Sequence, residues 1–401
     1  MNRIRGAAVA LTMLLVAGPS LAEDWGRVEI HGFVSQGYLR TNHNDFLVAH
    51  SRDGSFDLSD AALGANVQVT DKLRVGLQLL SRDFGEEGNH AVKLDWGYGD
   101  YRLRDWIGLR AGKVKLPIGL YNETRDADIL RPMAFLPQSV YDDMTRDFII
   151  AASGGGLYGD IALGGAGSIE YAVVAGSVNV DPETTLVRSN LAAINASGAA
   201  LGLPPVSELR WAGRTSYAGR VLYNTPLAGL RLATSYAQTA GDFDLVASGT
   251  AVARLSAEMQ DRLVLSAEYV NAQLTLAAEY QTFKLRTALE GYPIDTNDPE
   301  AWYVMASWHL PRSRGLSITG SYDVYHHDRD DAKTAEKGLT GSRKDVGLGL
   351  RWDITHNFVG KAEWHTVDGA GSMTGMISEL MKPHDPVQDW SYFVAKLSFA
   401  F

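Results

Sequence analysis

The 401-residue chain carries 37 Lys and Arg against 47 Asp and Glu, a formal charge of −10, and has no cysteine. The acidic balance disfavours nucleic acid and anionic surfaces as partners, and the missing cysteines exclude a disulfide scaffold and a Cys-ligated metal. Charged residues make up only 21% and glycines number 41, a balance suited to many short strands and turns.

At the start of the chain, Arg3 and Arg5 precede the apolar run Ala7 to Ala17, and Ser20-Leu21-Ala22 has the small-x-small form of a signal-peptidase site. Residues 1–22 therefore read as a signal peptide, and the expected mature chain begins at Glu23 with 35 basic and 47 acidic residues, net −12. No later apolar stretch reaches the ~18 residues of a membrane-spanning helix. No linker-like shift in composition divides residues 23–401, so they read as one domain.

From Val28 onward the sequence breaks into segments of roughly ten residues, the length of a tilted strand crossing a bilayer, with an apolar side chain at every second position. Between Trp302 and Leu310, Trp302, Val304, Ala306, Trp308 and Leu310 share one face while Tyr303, Met305, Ser307 and His309 share the other. Leu316 to Val324 and Val346 to Ile354 repeat the pattern. The separators alternate between short and long. Short turns are expected at 70–72, 104–105, 164–167, 225–229, 271–272, 311–315 and 355–357. Long loops are expected at 41–55, 83–90, 116–153, 179–213, 240–261, 285–300, 327–343 and 367–389. Seven turns and eight loops join sixteen strands, an even number with both ends on the short-turn side, as closure of an outer-membrane barrel requires. The fold class expected is all-β: a sixteen-stranded antiparallel transmembrane barrel.

Aromatic residues fit two interfacial belts, with Trp302 and Trp308 near opposite ends of one strand and Tyr223, Tyr236, Tyr269, Tyr280, Trp352 and Trp364 bracketing others. The final strand, Trp390 to Phe401, places Phe393, Leu397, Phe399 and Phe401 on one face. It resembles the C-terminal signature that the barrel-assembly machinery of the outer membrane recognises.

The stretch from Gly112 to Asp147 breaks the rhythm. It holds three prolines, six acids and three arginines, with Leu130, Met133, Phe135, Leu136 and Val140 arguing for order. Arg110 to Asp126, RAGKVKLPIGLYNETRD, together with Leu136-Pro-Gln-Ser-Val-Tyr141, resembles the third-loop region of Gram-negative porins related to the phosphate-selective and dicarboxylate porins. Leu63 to Leu77, LGANVQVTDKLRVGL, is similar to a hairpin common in porins. The resemblance implies a passive channel of the outer membrane, usually a homotrimer, embedded among lipid and lipopolysaccharide. Its third loop (116–153) would fold inward to form the constriction. The six acids depart from the basic constriction of phosphate porins.

Other patterns carry less. Gly154 to Gly159 matches G-x-G-x-x-G but opens no helix, so it reads as a glycine-rich strand start rather than a nucleotide site. His326-His327-Asp328 with nearby aspartates matches no known metal loop and reads as a solvated tip. Asn195-Ala-Ser197 reads as a chance sequon. No nucleophile elbow is present, and His309, His356 and His365 lack a serine context, so an outer-membrane hydrolase is the weakest reading. A non-conducting structural or adhesive barrel is the alternative to a channel. No enzyme activity, cofactor or metal is expected.

Charged side chains in lipid cost roughly 2–4 kcal/mol near the midplane, so the strand cations Arg74, Lys93, Arg110, Arg220, Arg231, Arg351, Lys361 and Lys396 should face the lumen. The expected pore-lining set is Arg74, Arg110, Arg220, Arg231 and Arg351 on the wall, opposed across a water-filled gap by Glu123, Asp126, Asp128, Asp142 and Asp143 of the loop, with Arg125 and Arg131 beside them. The planar fork of arginine suits carboxylates, so small organic acids are the expected solutes.

Overall fold

The computed structural model describes residues 28–48, 50–85, 88–200, 202, 204–372 and 386–401. The expected signal peptide and its cleavage site, and most of the 367–389 loop, lie outside the described residues.

Alternation of apolar and polar side chains builds strands, because each pleated segment can then present one face to each side of a sheet. The first half of the chain contributes β1 (Val28–Thr41), β2 (Ser59–Gln68), β3 (Leu73–Asp83), β4 (Val92–Arg104), β5 (Ile107–Lys115), β6 (Ala151–Ala162), β7 (Ser168–Val178), β8 (Glu208–Gly213) and β9 (Thr215–Asn224). The second half contributes β10 (Leu230–Ala247), β11 (Thr250–Val270), β12 (Leu274–Leu289), β13 (Asp295–Asn297), β14 (Glu300–His309), β15 (Leu316–His326), β16 (Ser342–Thr355), β17 (Phe358–Gly369) and β18 (Asp389–Ala400). β8 and β13 are short additions to the upper parts of β10 and β12. The other sixteen pair antiparallel with their neighbours, and β1 pairs β18 in the register Val34↔Phe399, closing the barrel. Gly32 and Phe401 exchange both main-chain hydrogen bonds at 3.1 and 3.0 Å.

The two faces separate by chemistry. Val75, Leu77, Leu109, Leu157, Val173, Leu265, Val304, Ile318, Leu348, Leu350 and Phe399 are exposed on the outer surface, while Asp100, Glu268, Glu279, Asp323, Asp345, Lys361, Glu363 and Lys396 are buried inside. Tyr303 and Met305 point inward and Trp308 outward, matching the faces read for Trp302 to Leu310.

One connection differs from expectation. Residues 240–261, read as a loop, are the upper halves of β10 and β11, which run 18 and 21 residues and are joined by only Ser248 and Gly249. Both have positive φ, 50° and 80°, the backbone a two-residue type I′ hairpin demands. β8 pairs the outer side of β10 from Gly241 to Val246. Phe243 and Leu245 bury against Val187 and Leu209, so a helix over Thr185–Ala200 in the preceding loop covers them. Register shifts at Ala237/Thr239 and Gln260/Leu263 interrupt the period-2 pattern where the hairpin leaves the barrel. β12 likewise continues to Leu289, into the stretch read as a loop from residue 285.

Candidate functional site

The segment between β5 and β6, residues 116–150, is the site. Its ends are tied by a main-chain bond from Leu116 to Ile150 at 3.0 Å, and its body hydrogen-bonds to inward-pointing side chains of strands from several sides of the barrel. Leu116, Ile118, Met133, Leu136, Val140, Tyr141 and Ile149 pack on Val174, Ala218, Val264, Ala277, Tyr303 and Met305 of the wall. On another side, Ala134 and Phe135 join Phe46, Val367, Trp390 and Tyr392.

An irregular segment enclosed by protein must find partners for its backbone polar groups outside itself, and here the wall supplies them. Glu279 accepts from Leu120 N at 2.9 Å and from the Tyr141 hydroxyl at 2.5 Å. Asp323 accepts from Ser139 N at 3.1 Å, and Gln281 donates to Ser139 O at 2.6 Å. Arg262 donates to Val140 O at 2.8 Å, and Glu363 accepts from Ala134 N. Lys361 donates to the carbonyls of Asp128 and Met133 at 2.6 and 3.1 Å.

The charged residues of the loop pair densely. Asp128 binds Arg131 at 2.6 Å, Lys361 at 3.0 Å, Ser398 at 2.6 Å and Lys396 at 3.6 Å. Asp126 binds Lys115 and Arg146, both at 2.9 Å. Asp143 binds Arg125 at 3.1 Å and Arg82 at 3.2 Å. Burial alone would raise these three carboxyls, but Lys361 and Lys396, Arg146 and Lys115, and Arg82 and Arg125 respectively hold them below the usual range. Asp142 differs: among the described residues its side chain accepts only from the nearby Met144 N, at 2.8 Å, and burial pushes it up to about 6.

Of the five wall arginines expected from sequence, two meet the loop. Arg220 binds Glu123 at 2.6 Å and Gly119 O at 3.0 Å. Arg351 donates to Ile129 O and Arg131 O at 2.9 and 2.7 Å while holding Asp353 at 2.6 Å. Arg74 and Arg110 instead share Asp100, at 3.3 and 3.2 Å, and the Arg110 guanidinium lies over the rings of Tyr98 and Tyr158. Arg231 binds Glu268. Asp126, Asp128 and Asp143 are thus neutralised at close range by other cations, an arrangement different from five arginines facing five acids across a gap. Sequence reading missed Asp60, Arg82, Asp95, Lys115, Arg262, Glu279, Asp323 and Glu363. Asp60 and Arg82 are direct cross-strand partners bonded at 3.0 Å, a pairing visible only once register is known.

Burial divides the inner charges into two populations. The Lys361 and Lys396 side chains are each 1% exposed, whereas Arg74 is 45%, Arg231 38% and Glu123 28% exposed. The loop is sealed against Lys361 of β17 and Lys396 of β18, and exposed charge is found at Arg74 of β3, Arg231 of β10, Asp353 of β16 and Glu123 of the loop. Among the described residues there is no cluster of side chains placed to hold a metal ion.

No protein-family model and no curated protein matches the chain. In fold it is similar to OmpF of Salmonella typhi in complex with daunomycin, at 13% identity and a TM-score of 0.58, over 94% of this chain and 98% of that one. The anion-selective porin of Comamonas acidovorans aligns at 13% identity and a TM-score of 0.56 over 94% and 99%. The outer membrane channel DcaP of Acinetobacter baumannii aligns at 10% and 0.54 over 93% and 97%. The shared feature is the porin-type barrel.

Proposed function

We propose that this barrel is a passive outer-membrane channel for small hydrophilic solutes, exported through a cleaved signal peptide and assembled as a homotrimer amid lipid and lipopolysaccharide. The observation that carries this reading is the combination of an apolar outer surface with water-exposed charge inside the barrel, at Arg74, Arg231, Asp353 and Glu123, next to a firmly seated loop. An apolar coat suits lipid, and exposed charge inside it suits a water-filled path. The loop at residues 116–150 is the narrowest section. Arg74, Arg110, Arg220 and Arg231 on the wall favour small organic acids, because field lines confined between low-dielectric walls act strongly on a passing anion. Two proteins of similar fold, an anion-selective porin and an outer-membrane channel, support the same direction.

Single-channel recording in a planar bilayer tests conduction, with ohmic steps expected. The double variant Arg74→Ala/Arg231→Ala should shift the reversal potential in a salt gradient toward cations. An unchanged potential would remove the anion preference. A closed adhesive barrel is the second reading, favoured by how tightly the loop is sealed on β17 and β18 and by the exposed Val252, Tyr292 and Ile294 at the long-loop end. Absence of steps from correctly folded protein would select it.

A further inference from the structure

At the long-loop end, between β3, β4 and β5 and the last turn of the inner loop, lies a cavity of about 420 Å³, within the size range of small-molecule sites. Gly88, Ala91, Asn179 and Thr184 are among the residues lining it. Four cations (Arg82, Lys93, Lys113, Arg146) and four acids (Asp95, Asp143, Asp147, Asp181) line it.

Six of these eight charges are spent on one another. Arg82 binds Asp143 at 3.2 Å, Arg146 binds Asp95 at 2.8 Å, and Lys93 binds Asp181. Among the described residues, Lys113 has no carboxylate within salt-bridge distance; its ammonium donates to Leu94 O at 2.6 Å. Asp147 has no cation within that distance either, and one of its oxygens accepts from Asp181 N at 3.0 Å. The two are not bonded to each other. Among the described residues, one cavity therefore presents one ammonium, on β5, and one carboxylate, on the short helix Arg146–Ile149, that take part in no salt bridge.

We propose that this cavity is a binding station for small zwitterions of the α-amino-acid class, with the ligand carboxylate on Lys113 and the ligand ammonium on Asp147. A simple anion satisfies Lys113 but is set beside Asp147, and a simple cation meets the reverse difficulty, so both single-charge classes are disfavoured by the same pair. As a stage of transport the station rests on the channel reading above; as a binding site it stands without it.

The test is equilibrium dialysis of labelled L-glutamine against the detergent-solubilised full chain, paired with swelling of proteoliposomes in L-glutamine and in ribose. Saturable glutamine binding is expected, weakened about tenfold by Lys113→Gln and by Asp147→Asn, with ribose-driven swelling unchanged in both variants. Unboiled migration on a gel verifies that each variant is folded. No saturable binding, binding unaffected by both substitutions, or equal binding of the deaminated, purely anionic analogue would overturn the proposal. Glutamine binding without swelling in any solute would sink the channel and keep the station. Swelling without binding would do the opposite.

Discussion

The inner loop (116–150) and the upper hairpin of β10 and β11 both lie between barrel strands and both carry dense charge, yet one is irregular and the other is regular sheet. The difference lies in where each finds partners for its backbone. The hairpin satisfies itself, since Asp242 to Ala247 pair Thr250 to Ser256 in ladder register and β8 serves the other edge. The loop is satisfied from outside, by side chains such as Glu279, Asp323, Arg262 and Lys361. A self-satisfied segment can stand in water beyond the barrel, whereas one satisfied by the wall holds its shape only while those wall groups keep their charge and position.

The largest test of that contrast is Asp128→Asn. It leaves Lys361, Lys396 and Arg131 buried around a neutral amide, and removing one member of a buried ionic cluster costs about 3–5 kcal/mol. The expected result is a clear fall in the temperature at which the unboiled gel band converts to the boiled form, with noisy, enlarged conductance steps. Full retention of both would show that apolar packing alone seats the loop.

Titration should act next most strongly, chiefly through the buried carboxyls of the loop. Asp126, Asp128 and Asp143 have lowered folded values, so their stabilisation is present above the usual carboxylate range and lost as pH falls through those lowered values. Asp142 is raised from 3.8 to about 6, so the folded state holds an extra proton in that window and its contribution declines as pH rises from 3.8 through 6. The loop should be held most firmly near about pH 4, loosen as pH rises to 6 while Asp142 loses its proton, and be released by stronger acid. Conductance noise and protease sensitivity of the loop across this range measure it, and Asp142→Asn should flatten the slope between pH 4 and 6 while leaving the acid limb. A slope that persists in Asp142→Asn would assign it to another group.

The smallest effect is expected from shortening the hairpin. Replacing Phe243 to Arg254 with Asn-Gly should leave conductance and the conversion temperature unchanged. The helix Thr185–Ala200 should become protease-sensitive, because it loses Phe243 and Leu245. A large change in conductance would mean that the hairpin shapes the lumen.

Strand number, the faces of Trp302 to Leu310 and the closing role of Trp390 to Phe401 were legible because period-2 burial is written locally in each segment. The hairpin was misread because Asp242, Asp244, Arg254 and Glu258 stand on strands above the apolar belt, where polar side chains no longer mark a loop. The Thr185–Ala200 helix was not foreseen, although its alanine-rich sequence has high helix propensity. Within the site, residue types were legible and partners were not. Arg220 meets Glu123 and Lys361 meets Asp128 through a fold that brings positions roughly 100 and 230 residues apart together, and no local pattern encodes such a pairing.

The seam between β1 and β18 also sets the order in which the molecule can be made. Gly32 and Phe401 complete one another's hydrogen bonding, so the first strand must wait for the last. Joining segments some 370 residues apart costs about 5 kcal/mol of chain entropy by the usual logarithmic law, and until that is met the growing sheet has two unsatisfied edges that invite other chains. Closure is therefore the late, committing event of biogenesis, and a chain stopped short of its final strand would remain an open ribbon with two adhesive margins.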